Sequence, residues 1–402
     1  MKRVTVALLL MLSTITLSAQ MRRRAVRTPT PPPTTGPLAG EALAGLTLSQ
    51  RSAFADGLAD FRSEEELIDG LGPVFNERSC AACHSVPAVG GGSTRSVTRF
   101  ARRSQGLYDA LTALGGSLRQ DHAIGIADGS SHVFLPETVP ASATIVVQRR
   151  TTPLFGLGFV DATPDAAFVA LAATQAARRD GLTGRVNLVD NIRAGMKTVG
   201  KFGWKSQVPT LFQFSGDAYV NEMGITTPDF PQESCPQGNC AELAFNPMPG
   251  VNDDGAGPVL LTNYMTLLAA PPRGPQNRDT ADGETTFERI GCNACHVATW
   301  QTGTSPIASL DQKTYHPYSD FLLHDMGPLG DDIEMGNATG KEFRTAPLWG
   351  LRFLTTYLHD GRATNTEQAV LAHNGQGRAA RDRFAALTGS TKSRLLAFLQ
   401  SL

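Results

Sequence analysis

The chain has 402 residues, with 36 Lys and Arg against 37 Asp and Glu, a formal net charge of -1, and 41% hydrophobic residues. That balance excludes a nucleic-acid surface and leaves enough apolar chain for two or three packed domains. Forty Gly and 25 Pro imply many turns and long irregular loops.

The first stretch reads as an export signal. Lys2 and Arg3 precede a mainly apolar run from Val4 to Leu17, and Leu17-Ser18-Ala19 forms a cleavage site, so residues 1–19 are expected to leave on secretion. No later stretch approaches ~18 continuous apolar residues, so no membrane span is expected in the mature chain. Residues 20–38, with Pro31-Pro32-Pro33, read as a disordered Pro-rich linker. Phe54 to Leu71 then alternates apolar and charged positions at helical spacing, leading towards the first of two matching pentapeptides.

Those pentapeptides are Cys80-Ala81-Ala82-Cys83-His84 and Cys292-Asn293-Ala294-Cys295-His296, both C-x-x-C-H. Two thiols at this spacing can form thioethers to one haem, and the adjacent His can then take an axial position on its iron. A redox dithiol gives the His no role. A zinc ribbon needs its Cys pairs within about 15–20 residues, whereas Cys83 and Cys292 are 209 positions apart. The chain is therefore expected to carry two covalently bound haem c groups, which in an exported protein points to a bacterial periplasm.

Further repeats follow. Phe75 and Phe287 each stand five residues before the first motif Cys. Arg150-Thr151-Thr152-Pro153-Leu154-Phe155-Gly156-Leu157 is echoed by Arg344-Thr345-Ala346-Pro347-Leu348-Trp349-Gly350-Leu351. In each, Arg150 or Arg344 offers a fork suited to a haem propionate. The expected fold is mainly α, with two cytochrome c-like haem domains at 39–225 and 281–402. An irregular insertion at 226–280, rich in Pro, Gly, Asn and Asp, separates them. Inside it, Cys235 and Cys240 are expected to form a disulfide in an oxidising compartment, with a reactive dithiol as the rival reading. A last helix carries Leu395, Leu396, Phe398, Leu399 and Leu402 on one side and is expected to cross the helix before the second motif.

With Tyr357-Leu358-His359-Asp360-Gly361-Arg362 added, these motifs make residues 40–402 resemble the bacterial di-haem cytochrome c peroxidase and MauG superfamily. The closest branch is that of the di-haem, thiol oxidoreductase-like proteins. Segments 150–161, 202–205 (F-G-W-K) and 318–327 (Y-S-D-F-L-L-H-D-M-G) look typical of that branch. The resemblance implies an oxidoreductase that takes a small oxidant such as hydrogen peroxide and receives electrons from a small redox protein. It also implies a calcium ion between the halves, for which the sequence shows no local ligand loop.

Ligands divide the two sites. His373 stands 14 residues after the His of the H-D-G segment, where the resembling peroxidases commonly carry Met, and is expected as the distal ligand of the second haem. Met326 is its alternative. For the first haem, His122 and His132 read as exposed loop residues, and the iron is expected to be open. The resemblance places Trp204 between the haems and Gln213 and Glu222 at the peroxide site, Glu222 as acid/base. Here Trp204-Lys205-Ser206-Gln207 replaces the usual W-D-G-R. Met223 reads as packing. Two alternatives remain: a non-enzymatic electron carrier with both irons six-coordinate, and an oxygenase or protein-modifying oxidase at the same open site.

Overall fold

The computed structural model describes residues 36–127 and 131–402; the expected signal segment and most of the Pro-rich linker lie outside the described residues. The helices are α1 (Leu48–Arg62), α2 (Cys80–Cys83), α3 (Leu157–Asp161), α4 (Asp165–Arg178), α5 (Leu211–Ala218), α6 (Ala256–Leu267), α7 (Arg278–Arg289), α8 (Thr366–Ala372), α9 (Arg378–Ala385) and α10 (Gly389–Leu399). Between them run short strands. The longest ladder pairs β2 (Ser96–Ser104) antiparallel with β6 (Ile145–Arg150), and β2 also pairs with Leu107–Asp109 and Ser117–Leu118. Among the described residues no helix is long and apolar enough to cross a membrane.

Each pentapeptide is served by one crossed pair of helices. In the second half α7 crosses α10 at Gly283, where an added Cβ would lie 2.1 Å from the Arg394 carbonyl oxygen. In the first half α1 crosses α6 at Gly57, where a Cβ would lie 2.2 Å from the Leu260 carbonyl oxygen. Only a residue without a side chain permits either approach. Four residues beyond each glycine a Phe ring reaches the motif histidine: Phe61 to His84 at 6.1 Å and Phe287 to His296 at 6.2 Å between centroids. The crossing helix adds a second aromatic, Tyr264 against Phe61 at 4.9 Å and Phe398 against Phe287 at 5.2 Å.

Three expectations change. The equivalent of Phe287 is Phe61, not Phe75. Helix α1 begins at Leu48 on a Thr47–Gln50 capping box and ends at Arg62, so residues 63–79 intervene before the motif. Phe75 lies instead in a two-residue strand, Val74–Phe75, paired with His122–Ala123. The stretch 226–280 is irregular only in part, because α6 within it supplies the closing helix of the first half. The helical content is also diluted by the β2–β6 sheet, in which Thr98 and Phe100 are buried on either side of the half-buried Arg99, a strand alternation.

The halves share one body, residues 34–402 forming a single unit by contact. Gly156 and Gly350 of the R-T-x-P-L repeats both adopt left-handed backbone, φ 71° and 74°, each opening a helical turn. A Cβ on Gly156 would lie 2.9 Å from the Trp349 ring of the other repeat, so the two repeats meet face to face.

Candidate functional site

The second pentapeptide sits at the end of α7, stopped by Gly291 in left-handed backbone. His296 donates from Nδ1 to the Tyr318 carbonyl at 2.9 Å. Tyr318 itself holds a φ of 51°, a conformation rare for a bulky residue. Facing His296 is His373, the C-cap of α8, whose Nδ1 donates to the Ala369 carbonyl at 2.8 Å. Both rings thereby keep Nε2 free, the arrangement that orients a metal-binding imidazole. Their centroids are 6.5 Å apart. An imidazole nitrogen binds a metal at about 2 Å, so two rings on one iron would have centroids about 6 Å apart. Burial lowers the pKa of His296 to about 4 and also lowers that of His373, so both rings stay neutral at pH 7.

The first pentapeptide forms α2, N-capped by Ser79. His84 donates from Nδ1 to the Gly91 carbonyl at 3.1 Å, and burial lowers its pKa to about 4. Its aromatic neighbour is Phe61 and not a second histidine. Near Cys83 stands Glu222, on a π-helical turn spanning Tyr219–Met223, the kind of bulge often found at functional sites. Asn76 donates from Nδ2 to the Glu222 carboxylate at 2.9 Å, and its backbone N–H donates to the Glu222 carbonyl at 2.8 Å. Burial pushes the Glu222 pKa up to about 7; Arg99 and the Asn76 bond pull it down, while Asp217 and Asp121 push it up. A carboxyl that titrates near neutrality can both take and give a proton.

The four motif thiols are free among the described residues. Burial raises Cys83 to about 11 and Cys292 to about 12, and raises Cys80 and Cys295 as well. Thiols so far from ionisation make poor redox dithiols. The sites fit haem on a further count. Arg150 and Arg344 each end a strand, each is buried, and each leaves a buried nitrogen, Nε and Nη1 respectively, without a hydrogen-bond partner. A buried guanidinium with an unmet donor calls for an acceptor such as a carboxylate. Thr151 and Thr152, next to Arg150, are within bonding reach of Cys83 and His84.

Trp204 stands between the repeats. Its Nε1 donates to the Arg150 carbonyl at 3.0 Å, while its own carbonyl accepts from the Arg344 N–H at 2.9 Å. Two residues that the sequence reading did not assign complete the junction. His359 stacks on Phe343 at 4.3 Å, and both rings lie 6.3 Å from Trp204. Beneath them Lys205, fully buried, donates to the carbonyls of Thr339, Gly340 and Glu342 at 2.7–3.2 Å and pairs with Asp331 at 3.2 Å. Asp331 also pairs with buried Arg149 at 2.7 Å. The sequence signal for Lys205 was the departure from W-D-G-R.

Other expected residues go elsewhere. Gln213 accepts from the Ile192 N–H at 3.1 Å and donates to the Asp190 carbonyl at 3.0 Å, so its amide braces the 190–192 turn and makes no bond to Glu222. His122 packs on Phe75, and His132 pairs with Glu242 and stacks on Phe245 at 4.2 Å. Met223 is buried, and Met326 Cε packs beside Gly377 and the His373 ring. Cys235 and Cys240 are joined in a disulfide.

The sequence profile of the family described as "Di-haem oxidoreductase, putative peroxidase" matches residues 141–402. No curated protein sequence matches the chain. Among solved structures it is similar to the di-haem peroxidase BthA of Burkholderia thailandensis at 14% identity and a TM-score of 0.39, covering 87% of this chain and 86% of that one. It is similar to a MauG-like protein associated with microbial copper homeostasis at 14% identity and a TM-score of 0.31, covering 68% and 94%. Similarity to hydrazine synthase of Kuenenia stuttgartiensis is 17% identity at a TM-score of 0.28, covering 62% and 87%. With the profile spanning well over half of its length, the chain belongs to the di-haem oxidoreductase family.

Proposed function

We propose that this protein is an exported, periplasmic peroxidase-like oxidoreductase with one haem c closed by its own polypeptide and one open to an oxidant. Cys292, Cys295, His296 and His373 would hold the closed haem, and Cys80, Cys83 and His84 the open one. The observation that carries the reading is the unequal surroundings of the two motif histidines: an imidazole at 6.5 Å from His296, against a Phe ring at 6.1 Å from His84 and a hydrogen-bonded carboxyl near Cys83. A haem held at the open position would supply the redox chemistry.

The chain's own residues manage protons and position. Glu222, as carboxylate, takes a proton from one peroxide oxygen and returns it to the other, which leaves as water. Reduction of peroxide to two waters consumes two electrons and two protons, the electrons coming from a small redox protein. Asn76 holds the carboxyl by one side-chain bond and so fixes where the proton moves. Arg150 and Arg344 take the propionates, and Trp204, tied to both arginine backbones, places an aromatic ring across the junction. Gln213 is left out of this site. The Lys205 ammonium already fills the carbonyl cluster at the junction.

The test is to count haems by alkaline pyridine spectrum and then add peroxide to reduced protein, wild type and Glu222→Gln. Two haems per chain, with rapid oxidation of the wild type and slow oxidation of the variant, are expected. A wild type that leaves peroxide untouched would instead favour the electron-carrier alternative, and one that consumes oxygen would favour the oxygenase.

A further inference from the structure

The segment His324-Asp325-Met326-Gly327 has no part in the chemistry above, yet the loop after His373 is built directly on it. Gly375 packs so closely that an added Cβ would lie 2.2 Å from the Asp325 carbonyl oxygen and 2.7 Å from the Gly327 nitrogen. A Cβ on Gly377 would touch Met326 Cε at 3.4 Å on one side and the His373 ring at 3.3 Å on the other. The strongest link is His324, almost fully buried. Its Nδ1 lies 2.8 Å from Gln376 Oε1 and its Nε2 lies 2.9 Å from Asp320 Oδ2.

Both partners are acceptors. The Gln376 amide is fixed in this orientation because its Oε1 also accepts from the Thr183 N–H at 3.1 Å. An imidazole with an acceptor on each nitrogen must donate from both, so His324 is an imidazolium. The Asp320 carboxylate beside Nε2 is its counter-charge, and the Cys295 sulfur lies 3.7 Å from Nδ1. Asp320 accepts in turn from Gln175 at 2.7 Å, and Gln175 donates to the Ala294 carbonyl inside the second pentapeptide at 3.1 Å. A Cβ on Gly184 would come within 2.7 Å of the His324 ring, so the backbone closes over it. The result is a continuous strap from the His373 loop to the Cys292–Cys295 segment.

We propose that His324 is a positioning residue that seats the His373 loop on the H-D-M-G segment and so keeps His373 facing His296. This rests on the reading of His373 as the second distal ligand. Loss of the doubly donating ring leaves Gln376 held by Thr183 alone, loosens the loop, and lets His373 swing away. The residue acts on the ligation of the second haem through the His373 loop.

The experiment compares the ferric EPR spectrum and the second-haem midpoint potential of holoprotein in wild type, His324→Leu and Gln376→Ala. Both variants are expected to lose at least half of the low-spin bis-imidazole signal, with a more positive potential, since an iron deprived of a strong axial imidazole is easier to reduce. Added free imidazole is expected to raise the low-spin signal by more in the variants than in the wild type, where only the open first haem can take it; a misfolded second site would show no such excess. If His324→Leu fails to fold, Gln376→Ala, altered at a half-buried side chain, decides. Variants that keep the full wild-type signal and potential overturn the proposal. A wild type without the bis-imidazole signal, or one unchanged by His373→Ala, overturns the ligand reading beneath it.

Discussion

The two pentapeptides are near-copies in sequence and close copies in their supporting helices, but the far sides of their histidines differ. Around His296 the chain closes with a second imidazole at the end of α8. Near Cys83 it supplies a carboxyl on a π-helical turn, tethered by Asn76. Attachment and support are repeated; what faces the motif histidine is not. Function in such a protein is decided by the segments that differ between halves, residues 219–223 in one and 366–377 in the other.

The comparison breaks most easily at Glu222. Glu222→Gln is expected to slow peroxide turnover by about 10²–10⁴-fold, the usual worth of a positioned acid/base, while the second site keeps its low-spin spectrum. Equal damage to both spectra would show that the sites are not separable. Next in size is the junction. Asp331→Ala leaves Arg149 and Lys205 buried without their shared counter-charge, and removing one partner of a buried pair costs about 3–5 kcal/mol. Denaturant unfolding should show that loss as one cooperative step; two resolved steps would mean that the halves are independent domains.

A smaller effect follows from pH. Glu222 must be ionised to accept a proton, so turnover should fall as pH drops through about 7, and Glu222→Gln should lack that limb. The stability sign runs the other way. A carboxyl whose folded pKa is raised above its unfolded value of about 4.3 stabilises the fold at low pH and loses that contribution as pH rises towards 7. Thermal melts of Glu222→Gln against wild type should therefore favour the variant more at pH 8 than at pH 4. The smallest expected effect is that of a chelator. Because the junction oxygens already hold the Lys205 ammonium, EGTA should leave the melting temperature unchanged.

Much of this was legible in the residues. The pentapeptides, the R-T-x-P-L repeat and His373 at a helix end are local patterns, and local patterns survive without a structure. The G-x-x-x-F crossing of α1 and α7 was equally present, at Gly57/Phe61 and Gly283/Phe287. The shared five-residue offset of Phe75 masked it, because residues 63–79 separate α1 from its motif. Helix α6 was hidden in a Pro- and Gly-rich stretch, although Leu260, Leu261, Tyr264, Met265 and Leu268 recur at helical spacing. Gln213 was placed by resemblance alone, and its amide bonds the 190–192 turn. The Lys205 cluster and the His324 strap join residues over 100 and 50 positions apart, a pairing that single-sequence periodicity does not encode.

The most direct test of the division between the two sites is the ferric EPR spectrum of purified holoprotein, quantified against its haem content. Two haems per chain, one giving a high-spin signal that responds to added fluoride or azide and one a low-spin bis-imidazole signal that does not, is the predicted result. Two low-spin signals indifferent to added ligand, or a single haem per chain, would contradict it.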